Sequence, residues 1–357
     1  MKRFVVASGM VLTLAACGGA QTQRLNIDPT AVAEEQYKQM AFAVEYQLKS
    51  QQRLERISYK ILKANAEICG PRVIYRGGFN FSALSNFDKN IQPVLVDVMK
   101  LDANDRLTVF NIIKGSAADQ AGLKNGDVIT KIDGQLVGTG KRGRAAFDEY
   151  LEKVMTNGSG QPISLTVLRD GQAMDISFSG DLVCRSTISM AESDAVNAYT
   201  NGENVFVTRG MMRFVDNDDE LAIVLGHEFG HNLMSHVEKT KNNAMGGYVI
   251  GGIVDALLGT GSVFANEGAK GAAQAYSVEF EQEADYVGMY MMARAGYDYD
   301  NAAYFWRKMG VNNTQSITFS GSHPTSAERF LGLEKIADEI EAKQQNGQVL
   351  VPNLKSK

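Results

Sequence analysis

The chain has 357 residues, 44% of them apolar and 22% charged, enough for two or three globular units. A formal net charge of -5 and a pI near 5.6 exclude the basic face that a nucleic-acid partner needs. All four histidines, His227, His231, His236 and His323, fall in the second half, which places any metal chemistry there.

Lys2 and Arg3 precede a short apolar run at 4–14, the pattern of an export signal and too short for a membrane span. It ends in Leu14-Ala15-Ala16-Cys17, which resembles a bacterial lipobox. That resemblance implies removal of residues 1–16 and acylation of Cys17, which then holds the chain on a lipid membrane. The protein is expected in the cell envelope, facing the periplasm, and Gly18 favours the outer membrane over the inner. A plain secretory peptide cut near Ala16 is the alternative. In an oxidising compartment the remaining cysteines, Cys69 and Cys184, are expected to pair; two free buried thiols are the alternative.

Residues 17–90 read as a tether, one long helix and connecting strands. The helix runs from Pro29 to about 68. Ala33, Tyr37, Met40, Val44 and Leu48 form its apolar stripe, resumed by Leu54, Ile57 and Ile61. The pattern changes over 91–183 to short strands and turns. A strand at 107–113 is followed by Gly115-Ser116-Ala117-Ala118, the turn Asn125-Gly126-Asp127, and a strand at 128–132 closed by Asp133-Gly134. A second helix is expected at 147–155, and strands at 163–169 and 173–178. This stretch resembles a PDZ domain. The resemblance implies a peptide or protein ligand added as a strand to a sheet edge. The Gly-containing loop that should precede the binding strand is not visible in 101–106, which leaves a structural spacer as the alternative.

Residues 184–345 form the next unit. A hairpin turn at Asn201-Gly202 leads to a strand at 205–209 and then to the stretch from Asp216 to His236; in zinc proteases such a strand commonly forms the edge on which a substrate backbone pairs, and an ordinary strand supporting the helix is the alternative. Asp216 or Asn217 is the expected helix cap, and Leu221, Val224, Leu225, Phe229 and Leu233 recur near period 3.6. His227-Glu228-Phe229-Gly230-His231 fits H-E-x-x-H. Two imidazoles at i and i+4 share a helix face and can grip one metal, with Glu228 beside them as the base. A hydrolytic zinc site needs a third protein ligand. On a second expected helix at 276–296, Glu281 can be that ligand and Asp285 can fix the tautomer of a ligating histidine; Glu279 and Glu283 compete with Glu281 by residue type. Between the two helices, 245–271 is rich in glycine and reads as a mobile cover; a substrate-contact surface, a membrane-touching segment and a packed hairpin are the alternatives. Helices follow at 300–309 and 325–345, then a flexible tail at 346–357.

The motif His227-Glu228-Phe229-Gly230-His231 with Glu281 and Asp285, the preceding Val205-Phe206-Val207-Thr208-Arg209, and Ser322-His323-Pro324 with Arg329 resemble the HtpX-like gluzincin peptidases of family M48. The resemblance implies an α+β chain: a mainly helical zincin-type domain with a short sheet, joined to a small β-rich PDZ domain. It implies one Zn2+ per chain on His227, His231 and Glu281, with Glu228 as catalytic base and Asp285 behind a ligand. It places His323 and Arg329 at the edge of the active site, His323 near the metal or the substrate carbonyl. His236 is given no role. The expected function is a membrane-anchored zinc endopeptidase that hydrolyses misfolded or stalled envelope polypeptides. A lipid-anchored chaperone or assembly factor with a silent or gated metal site is the alternative.

Overall fold

The structure, a computed structural model, describes residues 25–156, 160–243, 245, 263–312 and 327–353. The export signal with Cys17, residues 246–262 of the glycine-rich stretch, and His323 lie outside the described residues.

Helix α1 (Pro29–Ala64) starts where Asp28 accepts from the Thr30 N–H and proline fixes the first turn. Its apolar spacing then serves two partners. Val44 and Leu48 pack with Leu84, Leu95 and Met99 around helix α2 (Gln92–Met99), while Leu54, Ile57, Ile61 and Leu62 enter the core of the C-terminal unit. After α1 the chain makes β1 (Val73–Arg76) and β2 (Phe79–Ser82).

Strand β2 is the first strand of an antiparallel sheet with β3 (Thr108–Ile112), β4 (Val128–Ile132), β6 (Ile163–Arg169) and β7 (Gln172–Phe178). The short β5 (Gln135–Leu136) hangs on β4. Helices α3 (Ala117–Gln120) and α4 (Gly140–Leu151) cover the sheet, and Phe81, Val109, Phe147, Leu165 and Val167 fill the core between them. Two expectations are corrected. The second helix begins at Gly140, well before 147, because its first turn holds Gly140 and Gly143, weak helix formers that hide it in the sequence. Strand β3, expected to receive a peptide, is flanked on both sides and cannot. The edge strands are β2 and β7, and the glycines before β2 are Gly77 and Gly78, not a feature of 101–106. A cavity of about 370 Å³ beside β2 is lined by Phe79, Leu151 and Met155, with Tyr59 of α1 and Ile188 on its other wall.

Strand β8 (Asp181–Cys184) pairs antiparallel with β1, and the Cys69–Cys184 disulfide closes this ladder, with Cα atoms 5.7 Å apart. Next comes a three-stranded sheet of β9 (Thr187–Ala191), β10 (Ala198–Thr200) and β11 (Asn204–Thr208), in the order β10-β11-β9. Here too an expectation is corrected. Strand β11 is central, paired antiparallel with β10 and parallel with β9, so its backbone is already used; the free edges are β9 and β10.

The described helices that follow include α5 (Arg209–Phe214), α6 (Asp218–Leu233), α7 (Val263–Arg294), α8 (Ala302–Asn312) and α9 (Ala327–Gln345). Helix α7 starts upstream of 276, so 263–271 of the glycine-rich stretch are helical. Residues 350–353, expected as loose tail, are held. Arg294 donates to the Leu350 carbonyl, Lys343 to that of Val351, and the Asn353 N–H to the Tyr286 hydroxyl. The physical reason is Arg294, a mostly buried guanidinium that needs acceptors. No helix of the described residues is long and apolar enough to cross a membrane.

Helices α6 and α7 meet backbone to backbone. A Cβ added at Gly226 would lie 2.6 Å from the Gly288 carbonyl oxygen, and one at Gly230 2.6 Å from that of Ala284. Replacing Gly288 by alanine forces the helices apart, so thermal or urea unfolding should register a loss of about 1–3 kcal/mol. Opening the disulfide with Cys69→Ser releases a loop spanning 115 positions. The chain-entropy model puts that loss at ~4–5 kcal/mol, readable as a lower urea midpoint.

Candidate metal centre

Helix α6 carries the site, and its ends are well satisfied. The Asn217 side chain accepts from the Glu220 N–H, and the Glu220 carboxylate accepts in return from the Asp216 N–H, a reciprocal cap. Acids at Asp218, Asp219 and Glu220 suit the positive helix end, and Arg53 and Arg56 of α1 both pair with Asp218. At the other end Arg72 donates to the carbonyls of Asn232 and Leu233. Every residue from Glu220 to Asn232 is buried.

On this helix His227 and His231 turn their Nε2 atoms toward each other, 3.1 Å apart. From α7, which the glycine contact brings alongside, Glu281 sends one oxygen to within 3.3 Å of His227 Nε2 and the other to within 3.2 Å of His231 Nε2. The three donor atoms lie within 4.8 Å of one another, and all three residues are buried. Glu228 is 2% exposed beside them. Of the two competing acids, Glu279 is exposed and Glu283 is turned to His236, so Glu281 alone converges with the histidines.

Behind the donors lies a buried ion pair. The His227 Nδ1–H donates to Asp285 Oδ1 at 2.9 Å, and Arg329 grips Asp285 through Nε at 2.6 Å and a terminal nitrogen at 2.8 Å. Burial pushes the Asp285 carboxyl up, but the Arg329 guanidinium overrides this and holds it below its usual value. Burial likewise pushes the His227 imidazole down, while Glu281 and Asp285 outweigh it and raise it to about 9. The cluster therefore carries surplus negative charge that favours a cation. Two imidazole nitrogens and a carboxylate are the donor set of a hydrolytic zinc site, so the residues fit the metal.

Arg329, expected at the active-site edge, is buried on α9 and reaches the cluster through Asp285, with its closest nitrogen 3.5 Å from Glu281. Trp306 of α8 was not singled out for the site. Its ring packs 5.1 Å from His227 and under the Arg329 guanidinium at 4.3 Å. Its being the only tryptophan was the one available signal. His236, left without a role, is buried against His231.

The family model "Peptidase family M48" matches residues 173–337, and "PDZ domain" matches 78–179. Residues 173–337 are a peptidase domain of family M48. Among curated relatives, the mitochondrial metalloendopeptidase OMA1 of Schizosaccharomyces pombe is 27% identical over 57% of this chain and 63% of its own length. A beta-barrel assembly-enhancing protease of Yersinia pestis is 27% identical over 34% of this chain and 27% of its own. A probable periplasmic serine protease do/HhoA-like of Haemophilus influenzae is 38% identical over 23% of this chain and 16% of its own. The chain thus spans less than two thirds of the length of these relatives. The M48 match contains both site helices α6 and α7 and the Arg329 end of α9. The PDZ match starts at Gly78, immediately before the edge strand β2.

The pair Asp285–Arg329 is fully desolvated, and Arg329→Ala leaves the carboxylate buried without its main partner. Urea unfolding of that variant should show a loss of about 3–5 kcal/mol, well beyond a surface ion-pair deletion such as Arg144→Ala.

Proposed function

We propose that this chain is a zinc-dependent metalloendopeptidase of the cell envelope, anchored through acylated Cys17, that degrades misfolded or stalled envelope polypeptides. The observation that carries the reading is the convergence of His227, His231 and Glu281 beside a buried Glu228 in an M48 domain. His227, His231 and Glu281 would hold the zinc. Bound there, zinc supplies Lewis acidity toward the scissile carbonyl and acidifies water at neutral pH. Glu228 takes the proton from the attacking water and returns it to the leaving amine. Asp285, gripped by Arg329, keeps the His227 ring in the tautomer whose Nε2 lone pair points into the cluster.

The lipobox-like Cys17 supports attachment to a membrane. The likeness to a beta-barrel assembly-enhancing protease supports work on envelope proteins. The free edge of β2 with its glycine pair supports an extended peptide as ligand of the PDZ unit. His323, by its place in the family motif, would act on the metal or on the substrate carbonyl.

The test is cleavage of casein by the purified protein with its zinc content measured in parallel. Wild type should bind one zinc per chain. Glu228→Gln should keep that zinc yet cut about 10²–10⁴-fold more slowly. Full activity in Glu228→Gln removes the mechanism, and a wild type without zinc favours a chaperone or assembly role instead.

A further inference from the structure

The two histidines of the cluster are supported differently. His227 is backed directly by Asp285. Behind His231 stands another histidine. Helix α6 ends at Leu233, and Ser235, at φ 57°, turns the chain so that His236 comes back beneath the helix. His236 Nδ1 lies 2.9 Å from His231 Nδ1, and His236 Nε2 lies 2.7 Å from a Glu283 oxygen. The His236 ring is 2% exposed and stacks on Phe280 at 4.4 Å with an interplanar angle of 11°. Lys239 lies 3.7 Å from the same Glu283 oxygen.

One requirement sets every proton in this row. If His231 offers its Nε2 lone pair to a metal, its Nδ1 carries the hydrogen and must donate it. Facing it at 2.9 Å is His236 Nδ1, which must then be a bare lone pair, so the His236 proton sits on Nε2. That proton is donated to Glu283, an anion that stabilises this tautomer and no other. The wrong tautomer of His236 would set two N–H groups against each other across 2.9 Å.

We infer that His236 and Glu283 form a positioning relay for His231: the Glu283 carboxylate fixes the His236 tautomer, and His236 Nδ1 in turn fixes the ring and tautomer of His231. Neither residue touches substrate. The inference rests on His231 being a zinc ligand, as proposed above. It makes Glu283, which lost the competition for the ligand position, the far end of the support for a ligand.

Zinc affinity is the readout, measured by competition with a chromophoric chelator on purified protein, with the visible spectrum of the cobalt-substituted protein as a second measure. His236→Phe keeps the ring on Phe280 but removes the acceptor; it should bind zinc ~10–100-fold more weakly. His236→Asn, whose side-chain oxygen stands near the lost Nδ1, should recover part of that. Glu283→Ala should weaken zinc in the same direction and alter the cobalt spectrum. Combined with His236→Phe it should add nothing, since both act through one chain of hydrogen bonds. Glu279→Gln, on the exposed face of the same helix, is the control without effect. Unchanged zinc affinity in Glu283→Ala, or losses that add in the double variant, overturn the relay even if His236→Phe fails to fold. A wild type that binds no zinc overturns the metal reading beneath it, a result distinguishable because it needs no variant.

Discussion

Two helices in backbone contact set the geometry of everything else in this molecule. Gly226 and Gly230 on α6 face Ala284 and Gly288 on α7 with no side chain between them. The distance between the helices is therefore fixed by main-chain van der Waals radii rather than by the packing of flexible side chains. Glu281 precedes Ala284 by three residues, so it emerges on the contact face one turn away, opposite His227 and His231. Asp285, one residue past the contact, lands behind His227. Larger residues at the crossing would carry the carboxylate away from the imidazoles by more than a coordination bond can tolerate.

Charge then decides what that geometry is for. Glu228, Glu281 and Asp285 are three buried carboxylates around one buried guanidinium, Arg329. Carboxylates at that density stay ionised only where cations compensate them. Arg329 satisfies Asp285 and stacks on Trp306, which shields the pair from water on its other side. The remaining negative charge faces His227 and His231, where a divalent cation would balance it. The ion pair and the donor cluster are thus one electrostatic object, divided by the His227 ring: structural charge on the Nδ1 side, chemistry on the Nε2 side.

Much of this was legible in the residues because local rules and the fold agree. The periodicity of α6, its cap, the i and i+4 histidines and the strands 128–132 and 163–169 all follow from spacing alone. What stayed hidden depends on contacts far apart in sequence. Nothing local distinguishes β3, a central strand, from β2, an edge, since both are short and alternate; only the pairing order does. The same holds for β11, whose second neighbour, β9, joins from upstream in parallel. Glycines misled in both directions. Gly140 and Gly143 masked the start of one helix, and the glycines before Tyr276 masked the start of another, since α7 has already begun at Val263. His236 was opaque because its meaning depends on a turn at Ser235 and on a carboxylate from another helix. Trp306 and Arg329 reach the cluster from α8 and α9, and only packing reveals that they touch.

Helix α1 belongs to no unit by sequence likeness, since both family matches begin after it. Yet Leu54, Ile57, Ile61 and Leu62 are part of the same buried cluster as Leu221, Phe229 and Tyr290. On its opposite side Glu55 accepts hydrogen bonds from Asn80 of β2 and Asn111 of β3. Evolutionary modules and folding modules therefore do not coincide in this chain. A fragment cut at the start of the M48 match would expose the apolar wall that α1 covers and lose the Cys69 half of the disulfide. The peptidase becomes a complete folding unit only with a helix synthesised more than a hundred residues before its first histidine, so a nascent chain must hold α1 in waiting until α6 arrives.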